Sequence, residues 1–144
     1  MNKQNTSLKL YLVLSKAMQA ITKRMEEDIR TYGLNPTEFA VLELLFHKGD
    51  QPIQKIGEKI LIASSSITYV VDKLEKKSLL VRKACSNDRR VTYACLTEKG
   101  HQLLTDIFPQ HQQAIEHLFE GLTVSEKEKM AAQLKRLGYR AAGK

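Results

Sequence analysis

Apolar residues in the first part of the chain recur at the spacing of one helix face. Five of them are separated by three or four positions: Tyr11, Leu14, Met18, Ile21 and Met25. This spacing predicts a long amphipathic first helix. Gly33 is expected to end it, because glycine readily takes the left-handed conformation that follows many helices.

The next helices have recognisable start signals. Asn35, Pro36 and Glu38 suit the N-cap, the first helical position and a capping box. Pro52 is expected to open a short third helix, and the small polar residues from Ser64 cap a fourth. The fourth helix is predicted to bury a set with offsets of zero, three, four and seven: Ile67, Val70, Val71 and Leu74.

Two strand-like segments follow. Residues 79–83 and 91–96 flank the polar, turn-prone segment 85–90. A β-hairpin directly after two short helices is the wing of a winged helix-turn-helix. Beyond it, Thr97 caps a long helix that Pro109 is expected to bend or interrupt, and a further capping box starts a last helix.

Charge now adds a candidate partner. The chain has 144 residues and a net charge of +7, and the segment 53–90 holds five of those seven excess positive charges. Such an excess favours a polyanion, and in the cytosol that is mostly nucleic acid. No apolar run approaches the roughly 18 residues of a membrane helix, and no signal peptide is evident. We therefore predict a cytoplasmic protein without membrane contact.

Two surfaces are expected to contact double-stranded DNA. The exposed face of the fourth helix carries short polar side chains and lysine, which suit the major groove. The wing tip carries two arginines, and an arginine there can enter the minor groove while Asp88 holds it in place. The predicted DNA-binding residues are Ser64, Ser65, Ser66, Thr68, Tyr69, Lys73, Asp88, Arg89 and Arg90.

The segment SSSITYVVDKLEKKSLLVRKACSNDRRVTYACLTEKG resembles the recognition helix, wing and following helix entry of the MarR family of bacterial regulators. The preceding LNPTEFAVLELL is similar to the family's second helix, and the resemblance extends over the whole chain. Its specific motifs are Asp88-x-Arg90 and Leu96-Thr97-Glu98-Lys99-Gly100. The chain departs from the family at Tyr69, where arginine is common, and at Ser78, where glycine is common.

The resemblance implies a homodimer with interface helices from both chain ends, and a ligand cleft between the dimerisation and DNA-binding regions. The apolar faces of the first and last helices also favour a dimer on a pseudo-palindromic operator. The expected organisation is mainly α with a small β-hairpin: a single domain over 1–144, a winged helix-turn-helix at 34–97, and dimerisation helices at 6–32 and 98–140.

The protein is expected to be a repressor, and a small effector molecule is expected to release it from its operator. The resemblance extends to the quinone- and hydroquinone-responsive branch, which implies a phenolic or quinone-like ligand. Methionine and aromatic side chains near the junction suit such a flat molecule: Tyr11, Met18, Phe39 and Phe46. Core packing is an equally good interpretation of each.

Other site chemistries are weaker. Cys85, beside basic residues, is the better candidate for a reactive thiol, while Cys95 is expected to pack within its strand. Cys85 is expected to pair with about Thr92 across the hairpin, which argues against a disulfide between the cysteines. The four histidines have no metal-ligand spacing and are expected to be exposed or half-buried.

We therefore predict no metal, no cofactor and no enzymatic activity. Two alternatives to an effector-controlled DNA regulator stay open. One is a winged helix used for protein–protein contact, which would not require the basic surface. The other is a metal-responsive regulator.

Overall fold

The computed structural model describes residues 3–60 and 64–143, with the side chains of Ser64 and Ser65 outside the description. Its elements are α1 (Lys3–Arg30), α2 (Pro36–Lys48), β1 (Gln51–Pro52), α3 (Ile53–Lys59), α4 (Ser64–Lys76), β2 (Leu80–Ala84), β3 (Thr92–Leu96), α5 (Glu98–Leu118) and α6 (Val124–Ala141). The predicted class, mainly helical with a small antiparallel sheet in a winged helix-turn-helix, is confirmed.

The sheet has one more strand than expected. Its order is β1-β3-β2, and both pairings are antiparallel. The hairpin of β2 and β3 runs from Leu80 opposite Leu96 to Ala84 opposite Thr92. Gln51 of β1 lies opposite Ala94 on the other side of β3. This pairing fixes the segment before α3 to the base of the wing.

Helix α2 begins as its sequence predicts. The Asn35 side chain accepts a hydrogen bond from the Glu38 backbone at 2.8 Å, and the Glu38 carboxylate accepts one from the Asn35 backbone at 3.0 Å. Gly33, with φ of 79°, follows the end of α1. Pro109 was predicted to bend or interrupt the long helix, and it does not interrupt it, since α5 continues through it.

Two compact units divide the chain, Met1–His111 and Gln112–Lys144. The first has the hydrophobic core, to which α2, α3, α4, β2 and α5 contribute fully buried side chains: Leu42, Ile56, Ile67, Leu74, Leu80 and Leu104. All four apolar positions predicted for α4 are buried. In the second unit, α6 has no buried residue.

The end of α4 is strained. Ser78 has φ of 63°, and the amides of Ser78 and Leu79 donate to the carbonyls of Glu75 and Leu74 at 2.9 and 3.0 Å. This is the Schellman arrangement, which usually has glycine at the left-handed position. Serine in this left-handed conformation costs about 1–2 kcal/mol, yet the helix ends with the same hydrogen bonds as a helix that ends at glycine.

Candidate nucleic-acid interface

The wing tip holds a charged pair. Arg90 donates from Nε to Asp88 Oδ1 at 3.2 Å, from a terminal nitrogen to Oδ2 at 3.4 Å, and from its backbone N–H to Oδ1 at 3.0 Å. The Arg90 side chain is 91% exposed. These hydrogen bonds hold the pKa of Asp88 below its ordinary value, and the side-chain hydrogen bond from Arg90 has the largest effect. The aspartate therefore stays ionised and directs the guanidinium from the tip of the hairpin.

The outer face of α4 is polar and open. Ser66, Thr68 and Tyr69 are exposed, whereas Ile67 and Val70 between them are buried. The predicted contacts Ser64 and Ser65 lie in the first turn of α4 by backbone, but their side chains are outside the described residues.

Two larger side chains of this face lie together. Tyr69 is 64% exposed, and the Lys73 ammonium lies 5.6 Å from the centre of its ring. A lysine over an aromatic face is attracted to it. The pair presents an aromatic surface and a positive charge side by side.

Arg82, which was not among the predicted site residues, joins the wing to this helix. Arg82 of β2 donates to Asp72 at 2.6 Å and also to Glu75, both on α4. Partial burial lowers the pKa of Arg82, but these two carboxylates outweigh it and raise the pKa overall. The sequence signal that could have predicted these contacts is the pair of acidic residues three positions apart, Asp72 and Glu75, followed by an arginine in the next strand.

The recognition helix and wing flank one concave surface. A cavity of about 270 Å³ lies between them, lined by Thr68 of α4, Arg82 of β2 and Arg90 of the wing, with Pro52 and Ile53 at its base. Arg89 is exposed beside Arg90. The structure thus brings two of the predicted contacts, Thr68 of α4 and Arg90 of the wing, to the same concave surface.

An ion pair with one buried partner joins α2 to the end of α4. The carboxylate of Glu38, 3% exposed, accepts a hydrogen bond from Lys77 Nζ at 2.8 Å. Burial raises the pKa of Glu38, but the hydrogen bonds of Lys77 and Asn35 outweigh it, and the pKa lies below its ordinary value. The start of α2 is thereby fixed to the end of α4.

The four predicted effector residues lie on two helices and differ in burial. Tyr11 and Met18 are exposed on α1, Phe39 is 3% exposed in the core, and Phe46 is half-buried at the other end of α2. A shallow cavity of about 340 Å³ on α1 is lined by Met18 and by none of the other three. Core packing is therefore the better interpretation of Phe39.

Both cysteines are free thiols. Cys95 is buried and lies opposite Val81. Its burial, and to a smaller extent its hydrogen bond with Asp50, raises the pKa of the thiol to about 11. Both effects disfavour the thiolate, which is the reactive form of a thiol, at neutral pH. The Cys85 amide donates to the Val91 carbonyl at 2.9 Å, within one residue of the predicted pairing at about Thr92, and Cys85 does not face Cys95, which lies opposite Val81.

The expectation that all histidines are exposed or half-buried was wrong for His111. Its side chain is 8% exposed and lies between two carboxylates, those of Asp28 and Glu43. Among residues 3–60 and 64–143, no group of three or more His, Cys, Asp or Glu side chains is arranged to hold a metal ion. None of the helices in those ranges is both long and apolar enough to cross a membrane.

Comparison with known proteins agrees with this arrangement. Residues 34–92 match the model of the MarR family. The HTH-type transcriptional regulator MhqR of Bacillus subtilis is 59% identical over 135 residues, covering 94% of this chain and 93% of that protein. The uncharacterised HTH-type transcriptional regulator YkoM of the same organism is 41% identical, covering 92% of this chain and 86% of that protein.

A solved structure with DNA has the same fold. Sco3205, a MarR family transcriptional regulator from Streptomyces coelicolor solved in complex with DNA, superposes with a TM-score of 0.85 at 18% identity, covering 96% of this chain and 89% of that one. The superposition shows the fold alone, whereas the sequence identity to the Bacillus subtilis regulators assigns the family. The chain belongs to the MarR family and is a DNA-binding transcription regulator.

Proposed function

We propose that the protein is a homodimeric repressor that binds a pseudo-palindromic operator through α4 and the wing. In each copy, α4 enters the major groove and Arg90 enters the adjoining minor groove. The observation that carries this proposal is the Asp88–Arg90 pair at the exposed tip of the hairpin, whose arginine lines the same concave surface as Thr68 of α4. Because operators lie in the cytoplasm of a bacterium, the protein is expected there.

Within α4, roles follow from side-chain chemistry. Ser66, Thr68 and Tyr69 are exposed and suit base edges, phosphates or thymine methyl groups. Lys73 and Arg89 suit phosphates. Ser64 and Ser65 occupy the first turn, the part of a recognition helix that usually approaches the bases.

The dimer proposal rests on uncovered apolar surface. Helix α1 exposes large hydrophobic side chains, with fractions from 49% to 67%: Leu8, Leu10, Tyr11, Leu12, Val13 and Met18. Helix α6 exposes Met130, Leu134 and Leu137 by 42–44%. Exposed apolar surface of this extent marks an interaction site, and we propose a second copy of the chain as the partner of each helix.

Light scattering is expected to give the mass of two copies of the 16.4 kDa chain at micromolar concentration. Leu134→Asp, which puts a charge into the apolar face of α6, should yield monomers. Gln133→Asp is the matched control, because it adds the same charge one residue away, outside the apolar set, and should leave the dimer intact. A monomeric wild-type protein would contradict the dimer.

For the effector, we infer a flat aromatic or quinone-like molecule bound beside a cluster of four rings. Phe46 and His47 of α2 meet His101 and Phe108 of α5, with ring centroids 4.8–6.1 Å apart. Phe46 and Phe108 are half-buried, and both histidines are exposed. Rings stack favourably on such a surface, and the imidazoles offer hydrogen bonds to a phenol or quinone oxygen.

A panel of quinones and phenols is expected to include members that weaken operator binding by roughly five- to 150-fold, the usual range of allosteric coupling. His101→Ala should reduce this response without changing operator affinity in the absence of effector. His117→Ala removes an exposed histidine outside the cluster and should keep the response. A panel that leaves operator affinity unchanged would contradict the aromatic effector.

Cys85 tests a covalent route in the same assay. If quinones act by alkylating a thiol, Cys85→Ser should abolish the response, whereas reversible binding at the ring cluster predicts an unchanged response. Cys85 is a free thiol and is half-buried directly after β2, whereas Cys95 is buried.

A further inference from the structure

A buried polar cluster joins three helices of the first compact unit. His111 of α5 donates from Nδ1 to Asp28 of α1 at 3.2 Å, and its Nε2 lies 4.0 Å from a carboxylate oxygen of Glu43 on α2. The histidine side chain is 8% exposed and that of Asp28 is 19% exposed. Such a group is destabilising when buried alone and is tolerated because its partners are in place.

The cluster is held from a second side. Tyr32 donates to both oxygens of Asp28, at 3.0 and 3.1 Å. Burial, and then the neighbouring Asp28, raises the pKa of Tyr32 to about 12, so it remains a donor throughout the physiological range. The ring of Phe39, with its centroid 4.6 Å from that of His111, closes the cluster from α2. The end of α1 is thus held by the side chain of Tyr32, which follows it, and by that of His111 of α5, against which Phe39 of α2 packs.

The place of the cluster gives it a mechanical role. Helix α1 has the exposed apolar face proposed for the dimer, whereas Asp28 lies in its last turn. Helix α2 is fixed to the recognition helix through Glu38 and Lys77. A displacement of α1 can therefore reach α4 through Asp28, His111 and the body of α2.

One backbone feature makes the side-chain contacts more important. Pro109, two residues before His111, has no N–H and removes one hydrogen bond from α5. That turn of the helix is held less firmly by its own backbone. The bond between His111 and Asp28 then contributes a larger share of what fixes α5 to α1.

We propose that His111 is a positioning residue that transmits the geometry of the dimerisation helix α1 to the DNA-reading helices, and so sets the operator half-site spacing that the dimer prefers. This inference rests on the proposed homodimer. It assigns to the cluster a function in recognition that the fold alone does not require, since an apolar side chain could fill the same space.

The test measures affinity for operators whose half-sites are moved apart or together by one and two base pairs, and for a single half-site. His111→Leu should keep its half-site affinity within about twofold but lose roughly three- to tenfold of the preference for the natural spacing, the range of one net hydrogen bond. His111→Gln, which can still donate to Asp28, should recover most of the preference. His117→Leu, a change of the same kind at an exposed histidine, should behave as wild type.

The outcomes separate two failures. A wild-type protein without any spacing preference would contradict the proposed dimer. A wild-type preference retained in full by His111→Leu would contradict only the role of His111, as would an equal loss on every operator and on the half-site. If His111→Leu fails to fold, Asp28→Leu decides, because it keeps roughly the shape of the side chain and removes the acceptor to which His111 donates. It should lose the preference in the same way, and an unchanged preference would overturn the proposal.

Discussion

Arg90→Ala is expected to weaken operator binding by about 1–3 kcal/mol, the range of a good contact to a base edge. The guanidinium is 91% exposed and held by Asp88, so little of this loss should come from the fold. The salt dependence should become shallower by about one phosphate equivalent if Arg90 also neutralises backbone charge. Affinity for a defined operator at two salt concentrations measures both effects.

For Asp88→Ala, long-range electrostatics and a positioning role predict changes in operator affinity of opposite sign. Removing a negative charge near DNA should tighten binding if only long-range electrostatics mattered. Because Asp88 accepts two side-chain hydrogen bonds and one backbone hydrogen bond from Arg90, we expect weaker binding. A freed arginine loses more conformational entropy when it enters the groove.

Arg89→Ala is the matched control for Arg90→Ala, since it removes the same charge at the neighbouring exposed position. It should share the change in salt dependence but lose less affinity. Circular dichroism checks the fold of all three variants. Tighter binding by Asp88→Ala would refute the positioning role, and an unaffected Arg90→Ala would remove the wing tip from the DNA interface.

Gly100→Ala is expected to lower the free energy of unfolding by about 1–3 kcal/mol or more, as overpacking of a filled interior does. A Cβ built at Gly100 would lie 2.1 Å from the backbone carbonyl oxygen of Leu79 and 3.1 Å from a methyl group of Leu96. Since the first of these atoms is backbone, no side-chain rotation relieves the overlap.

The close contact between Gly100 and the Leu79 backbone also explains why the destabilisation should extend to neighbouring elements. The Leu79 carbonyl accepts a hydrogen bond from the Thr97 backbone at 3.2 Å, and Thr97 Oγ1 donates to the Ser78 carbonyl at 2.6 Å while it caps the Gly100 amide at 3.0 Å. Displacing this backbone would disturb the end of α4 and the start of α5 together. The glycine in the Leu96–Gly100 motif is thus a requirement of close packing between the wing and α5.

Urea unfolding followed by circular dichroism measures the change. Gly121→Ala is the control, because a Cβ there would meet nothing within 4 Å, and it should stay within about 0.5 kcal/mol of wild type. Gly100→Ala with wild-type stability would show that the contact with Leu79 does not constrain this position.

Local chemistry made much of the fold predictable. The start of α2 follows from Asn35, Pro36 and Glu38, and its capping box is present with both hydrogen bonds. The buried side of α4 follows from the period of its apolar residues. The Asp88–Arg90 pair was predictable because the two residues are neighbours in one turn.

Features that depend on distant residues were not predictable. Strand β1 has only two residues and exists because β3 pairs with it. Arg82 and its carboxylates come from different elements, and His111 meets Asp28 across 83 positions of sequence. Phe39 and Tyr11 had equal claims to an effector site by residue type, and only their burial, 3% against 67% exposed, separates them.

The most direct test of the central claim is to isolate the protein with bound genomic DNA fragments and to sequence them. The account predicts that the fragments share one pseudo-palindromic motif whose half-site centres lie about 10 base pairs, one helical turn, apart. Enrichment of that motif should be lost with Arg90→Ala at a salt concentration where the wild type retains it. Fragments without a shared motif, or with a single unrepeated half-site, would contradict an operator read by a symmetric dimer.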